Sequence, residues 1–287
     1  DIIEDERMSR HTTYRVGGPA SLFITCQSYH GLRRAVEVLS RELIPWVLLG
    51  RGSNILVSDD GYQGAVIVLG REFQRTVIAE DGVHVTVGAA TVLSRLVNEM
   101  MSRGLSGLEF TVGIPGTVGG AVSMNAGTRR EWIDQLVEYL VTYVPGEGLR
   151  YYDHDDIYWG YRETGLPGSE IVLEATLVLK PGKKDDIRER MERYLGRRRR
   201  SQPIGKASCG SVFRNPSDKS VGAMIDDCGL KGFSVGGAEV SPVHANFIVN
   251  NGSATAKDVL SVIQHVHAKV KETYGVELQP EVKFLGF

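Results

Sequence analysis

Two glycine-rich segments carry the features closest to chemistry. Gly50-Arg51-Gly52-Ser53-Asn54 follows an apolar run at 45–49, and the chain then returns to the β-branched Ile55 and Val57. Glycine lets backbone N–H groups approach an anion closely, and the Ser53 and Asn54 side chains add donors. A phosphate cradle is one reading of this loop; a tight turn needing positive φ is the other. The dinucleotide fingerprint is not met, because Ile55 stands where a third glycine would open a helix, and no Walker A run exists. The second segment, Gly113-Ile114-Pro115-Gly116-Thr117-Val118-Gly119-Gly120-Ala121-Val122-Ser123-Met124-Asn125-Ala126-Gly127, has hardly any side chain large enough to build a core. Such a backbone suits close approach to a large flat or diphosphate-bearing ligand, with Thr117, Ser123 and Asn125 as neutral hydrogen-bonding groups. Here a cofactor loop outweighs a bare turn.

The elements that must position these loops follow from apolar periodicity. Short apolar runs at 20–25, 46–49, 55–57 and 66–69 surround a helical stretch at 31–42, a mixture that predicts α+β or α/β organisation. Residues 76–87 alternate in strand fashion. A helix is expected over 92–103, with Leu93, Leu96, Val97 and Met100 on one face and Gly104 closing it. Short β-branched runs at 136–144 and 171–179 read as buried strands. A charged helix from 183 runs into Arg197–Arg200 and is broken at Gln202-Pro203, which marks a domain boundary. In the last module Thr255 and Asp258 form a capping-box pattern, and Val259, Leu260, Ile263, Val266 and Val270 make an amphipathic stripe closed by Gly275.

Bulk properties limit the choice of partner. The 287 residues exceed a typical single domain, and 42% hydrophobic with 24% charged residues is an ordinary globular composition. With 33 Lys and Arg against 35 acidic residues, the net charge of -2 gives no global attraction to nucleic acid or to an anionic membrane. The four arginines at 197–200 complement a helix C-terminus, which outweighs a nucleic-acid reading. Cys26, Cys209 and Cys228 are scattered and form no CxxC pair, which fits a reducing cytosol. His265 and His267 lie two apart on a helix and face different ways, so no metal is expected. No leader-like or membrane-spanning run is present in these residues, and a cytoplasmic location is expected. The sequence does not begin with Met, which is read as a few residues missing.

The order His11-Thr12-Thr13-Tyr14-Arg15-Val16-Gly17-Gly18, then Gly50 to Asn54, then Gly113 to Gly127, resembles the FAD-binding half of the UDP-N-acetylenolpyruvoylglucosamine reductase (MurB) family. The resemblance runs to the C-terminus. It implies a two-part FAD-binding module of the vanillyl-alcohol-oxidase (PCMH-like) kind plus a C-terminal α+β substrate domain. The expected modules are 1–70, which can take in 281–287, then 71–200, then 203–280. In the family both glycine loops hold the FAD pyrophosphate by backbone donors, which their composition suggested independently.

The family's reaction reduces the enolpyruvyl ether of UDP-N-acetylglucosamine enolpyruvate to UDP-N-acetylmuramate with electrons from NADPH. Hydride addition to that double bond pushes negative charge into the neighbouring carboxylate, and the adjacent carbon must then be protonated, so a fixed cation and a positioned acid are needed. By resemblance, Arg162 in Tyr161-Arg162-Glu163-Thr164 is the cation, its planar guanidinium suiting a carboxylate. Thr164 replaces the family's usual serine and keeps the hydroxyl. Ser211, in Cys209-Gly210-Ser211-Val212-Phe213-Arg214-Asn215, is the proton donor, and Glu281, in Gln279-Pro280-Glu281, assists Arg162. The resemblance also brings Gly236 to Ser241 and the segment His244 to Asn250 near the sugar nucleotide. Arg200, Arg214, Asn215, His244 and Asn246 are the expected substrate contacts. The segment between Arg162 and Arg197 has no room for the loop with a capping tyrosine seen in one subtype, so the short-loop subtype and a monomer are expected.

Two other readings stay open at this stage. Another flavin oxidase of the same cofactor fold would show covalent flavin attachment or an aromatic substrate cage. A non-catalytic nucleotide-binding module would be colourless and would leave Arg162, Ser211 and Glu281 unexplained.

Overall fold

The apolar spacings become helices and strands at most of the expected places in a computed structural model that describes residues 1–216 and 219–287. The chain divides into two units: Asp1–Ile3, Phe23–Gly50 and Ala65–Arg197 form the first, and Glu4–Leu22, Arg51–Gly64 and Arg198–Phe287 the second.

The first unit is built around a five-stranded antiparallel sheet in the order Gly148–Asp153, Val137–Val144, Ile171–Val178, His84–Gly88, Thr76–Ile78. The central strand Ile171–Val178 sets Ala175 opposite both Val87 and Leu140. The expected single strand over 76–87 is two strands. Gly82 turns the chain at φ 74°, and Asp81 Oδ1 accepts the Val83 and His84 N–H groups at 2.9 and 3.1 Å. Helix Leu93–Arg103 buries Leu93, Leu96, Val97 and Met100 and ends at Gly104 in the left-handed conformation. Burial of each such side chain stabilises the unit by about 1.5–3 kcal/mol. Helix Lys184–Ser201 is anchored where Arg190 Nη2 meets Glu109 Oε1 at 2.7 Å, a carboxylate that is itself buried. A further helix, Tyr29–Arg41, starts at Ser28, whose Oγ accepts the Gly31 N–H, and it buries Leu32, Val36 and Leu39.

The second unit centres on helix Ala256–Tyr274. Thr255 Oγ1 accepts the Asp258 N–H at 3.0 Å while Asp258 Oδ2 accepts the Thr255 N–H at 2.9 Å, so the capping box forms in full. Asp59 adds both carboxylate oxygens to the same helix end, accepting from Ala256 and Lys257. The buried stripe is Val259, Val262, Ile263, Val266 and Val270. Leu260, expected in it, is only partly buried, because Val262 takes the inner face at helical period. The stripe packs over a three-stranded sheet, Ser234–Val235, Ala238–Val240 and Ile248–Asn250. The strand Lys283–Leu285 pairs in parallel with Ile55–Val57, tying the end of the sequence to its first quarter.

Candidate active site

The second glycine segment is shaped by backbone packing in the first unit. Gly113 and Gly116 adopt φ 78° and 140°, conformations that side chains disfavour. Thr117 then caps the short helix Val118–Ser123, its Oγ1 accepting the Gly120 N–H at 3.3 Å. The loop is stitched to its neighbour by Leu93 N–H to Gly116 O, Val118 N–H to Thr91 O and Gly119 N–H to Ala89 O. A Cβ on Gly119 would lie 2.8 Å from Ala89 Cβ, so this glycine serves packing. Ala121 is buried with Val118 and Val122 in the core beneath, while Gly113, Pro115 and Gly120 are exposed and Ile114 is partly so. Thr91 Oγ1 is buried beside this loop with no hydrogen-bond partner among the described residues.

The same segment docks the Arg162 turn, which sequence reasoning did not anticipate. Trp159–Gly160 and Glu163–Thr164 pair as a minimal hairpin whose two turn residues are Tyr161 and Arg162. Arg162 takes φ 60°, a left-handed conformation that costs a non-glycine residue of order 1 kcal/mol or more. Asn125, itself at φ 37° and buried, donates from Nδ2 to Gly160 O at 3.1 Å and accepts the Asp134 N–H at Oδ1. Thr164 Oγ1 donates to Val122 O at 2.5 Å, which explains why a hydroxyl residue serves there. Arg162 Nη2 donates to Gly127 O at 3.4 Å. Asn125, expected to face a cofactor, therefore turns its amide to protein backbone, and Gly127 offers its carbonyl to the arginine.

Within the second unit the structure pairs the backbone segments that follow Ser211 and lead into Glu281. Glu281 N–H donates to Val212 O at 2.7 Å and Arg214 N–H to Gln279 O at 2.9 Å, so the two segments cross as a short antiparallel pair at Phe213 and Pro280. Asn246 clamps the crossing. Its Oδ1 accepts the Phe213 N–H at 3.0 Å, its Nδ2 donates to Phe213 O at 2.8 Å, and its carbonyl accepts the Val212 N–H at 2.9 Å. Only 3% exposed, Asn246 turns its amide inward, so the expected substrate contact gives way to a role in fixing the residues beside Ser211.

The first glycine loop joins this crossing through Asn54, whose Nδ2 donates to Glu281 O at 3.1 Å and whose carbonyl accepts the Lys283 N–H at 3.0 Å. Gly52 needs its φ of 60° and its missing Cβ, since a Cβ would sit 2.1 Å from His11 O; its own carbonyl accepts the Thr13 N–H at 3.0 Å. Arg51 is exposed, and Ser53 is partly buried. Gly50 belongs to the first unit, where a Cβ would meet Thr117 Oγ1 at 2.9 Å.

Cys209 is a buried thiol at the core of this unit. Burial pushes it up to about 12, with the Glu281 charge adding to the rise. It is thus a protonated bystander near Ser211. His244 is held below its ordinary value by burial first and by the charge of Lys231 as well. Its Nδ1 accepts the Asn246 N–H at 3.2 Å, which puts the proton of the neutral ring on Nε2. Asn215 Oδ1 accepts the Val221 N–H, starting the helix Val221–Asp227, and Arg200 lies exposed in the last turn of Lys184–Ser201. Among the described residues no group of His, Cys, Asp and Glu could hold a metal ion, and no helix is long and apolar enough to cross a membrane.

Comparison with known proteins agrees with this geometry. Residues 20–150 match the FAD binding domain family, and residues 202–285 match the family of the UDP-N-acetylenolpyruvoylglucosamine reductase C-terminal domain. The chain is 41% identical over 287 residues to the UDP-N-acetylenolpyruvoylglucosamine reductase of Anoxybacillus flavithermus, covering 99% of this chain and 94% of that one. It is 42% identical to that of Heliobacterium modesticaldum, covering 99% and 90%. The crystal structure of the Thermus caldophilus enzyme (MurB) superimposes with a TM-score of 0.87 at 38% identity, covering 99% of this chain and 98% of that one. Similarity at this level over the full length means that the chain belongs to the UDP-N-acetylenolpyruvoylglucosamine reductase family.

Proposed function

We propose that this chain reduces UDP-N-acetylglucosamine enolpyruvate to UDP-N-acetylmuramate, the step of peptidoglycan precursor synthesis its family carries out, with NADPH and FAD as cofactors. The single observation that carries the reading is the Val212–Glu281 backbone pairing, which sets the segment that carries Ser211 against the segment that carries Glu281 in the unit that matches the family's C-terminal domain. FAD fits the residues present: the 113–127 segment is small-residued, and the buried Thr91 hydroxyl beside it has no partner among the described residues. When bound, FAD supplies the hydride that NADPH delivers to it. Gly50 to Asn54 and the segment Gly113 to Gly127 are the residues that would hold it.

In this reading Arg162 binds the substrate carboxylate and stabilises the charge that develops there. Ser211 gives its hydroxyl proton to the adjacent carbon. An alcohol is a weak acid, so this works only toward a strongly basic carbon, and Glu281 supports Arg162 in stabilising the enol-like charge or relays the proton. Arg200, Arg214, Asn215 and His244 remain the proposed contacts to the sugar nucleotide. The residues following Arg162 are taken up by Ile171–Val178 and Lys184–Ser201, which supports the short-loop subtype. We assign the chain to the cytoplasm, where NADPH and a nucleotide sugar meet, and read it as a monomer, since one chain carries all three catalytic candidates. The three-module division at 1–70, 71–200 and 203–280 belongs to the same reading.

Anaerobic NADPH oxidation by the purified protein, with and without UDP-N-acetylglucosamine enolpyruvate, tests it. Turnover that requires this substrate and yields UDP-N-acetylmuramate is the expected result. Flavin reduction that stops after one equivalent in its presence would overturn the substrate, and a colourless protein that binds no FAD would overturn the whole reading.

A further inference from the structure

The Arg162 guanidinium carbon lies 5.2 Å from the centroid of the Trp132 ring and 5.3 Å from that of Tyr161, and the two rings meet edge to face at 5.7 Å and 83°. Tyr161 is Arg162's chain neighbour, whereas Trp132 comes from a separate segment. That segment turns back on the glycine loop through a bridge between Gly127 and Trp132, and the Gly127 carbonyl accepts from Arg162 Nη2. One short stretch therefore supplies both a ring and an acceptor to a side chain whose own backbone is in a disfavoured conformation.

The chemistry of the contact suits an arginine that must bind a carboxylate. An aromatic ring attracts the cation through its π-electrons and leaves its charge intact. We infer that Trp132 is a positioning residue for the reaction: its ring fixes the Arg162 guanidinium in the orientation that meets the substrate carboxylate. The inference rests on the reading of Arg162 as the catalytic cation.

The test is a double-mutant cycle on the FAD-loaded enzyme with Trp132→Ala, Trp132→Phe, Arg162→Ala and the Trp132→Ala/Arg162→Ala pair. Flavin reduction by NADPH and reoxidation by UDP-N-acetylglucosamine enolpyruvate are followed separately, and affinity for UDP-N-acetylmuramate is measured by calorimetry. Trp132→Ala is expected to slow reoxidation and weaken product binding by roughly 5- to 30-fold, the range of a partly desolvated cation–π contact. Reduction by NADPH should change by less than about twofold, Trp132→Phe should recover most of the loss, and Trp132→Ala should add nothing in the Arg162→Ala background. Equal losses in both half-reactions, or the same loss with Arg162 already removed, would overturn the role of Trp132. Wild-type reoxidation by Arg162→Ala would instead overturn the reading of Arg162 itself. If Trp132→Ala does not fold, Trp132→Leu keeps the apolar bulk without the π face and is judged by the same outcomes.

Discussion

The Arg162 turn and the Ser211–Glu281 crossing hold their reactive groups by opposite means. The crossing is backbone pairing locked by a buried amide, with Asn246 satisfying both polar groups of Phe213. The turn is a two-residue hairpin held from outside by side chains: Asn125 on Gly160, Thr164 on Val122, Trp132 against the guanidinium. Ser211 and Glu281, the proposed proton donor and its carboxylate, thus sit in a frame that changes only if the unit's core changes. Arg162, the proposed cation, sits in a frame with several separable supports. Substitutions around Ser211 should therefore act through stability, and substitutions around Arg162 through the reaction.

The sharpest break in that comparison is at the reactive groups themselves. Ser211→Ala should leave flavin reduction by NADPH intact and lower the rate of UDP-N-acetylmuramate formation by about 10²–10⁴-fold, measured in single turnover. Equal loss of both half-reactions would remove Ser211 from the role of proton donor. Arg162→Ala should lower the same step by roughly 10²–10³-fold, measured in single turnover. Asn246→Ala strands the buried Phe213 N–H and carbonyl and should destabilise the protein by roughly 2–4 kcal/mol, read by urea denaturation of the chain. Thr164→Val, which loses the bond to Val122, should slow UDP-N-acetylmuramate formation in single turnover by about fivefold, the equivalent of about 1 kcal/mol, and Thr164→Ser should slow it little.

The smallest effect expected is on pH. His244 is held below its ordinary value in the folded state, so the unfolded chain binds the extra proton. Its contribution to stability is present above the unfolded value of about 6.5 and is lost as pH falls through the lower folded value. His244→Gln should flatten that part of a stability profile; an unchanged slope would place the titration elsewhere.

Long helices were legible because several signals coincide in them. Leu93–Arg103 shows its apolar face and closing glycine, and Ala256–Tyr274 its capping box. The hairpin around Arg162 was not legible, since strands of two residues leave no periodicity and an arginine at positive φ contradicts local preference. Asn125 and Asn246 were assigned outward for a related reason. An asparagine that docks backbone and one that binds a ligand read alike in sequence, and only the partners separate them. The grouping of residues 4–22 and 51–64 with 198–287 draws on long-range pairing, such as that of Ile55–Val57 with Lys283–Leu285, which apolar periodicity alone does not encode.

That pairing also sets a clock on synthesis. Asn54 waits 227 residues for Glu281, which at ribosomal elongation rates is roughly 10–45 s. Throughout that interval the nascent chain carries Ile55-Leu56-Val57 without the strand that closes it, two of its three side chains destined for complete burial. The Glu281 end of the proposed site is thus completed last, and a chaperone that shields an emerging apolar edge would have its longest engagement at this tripeptide.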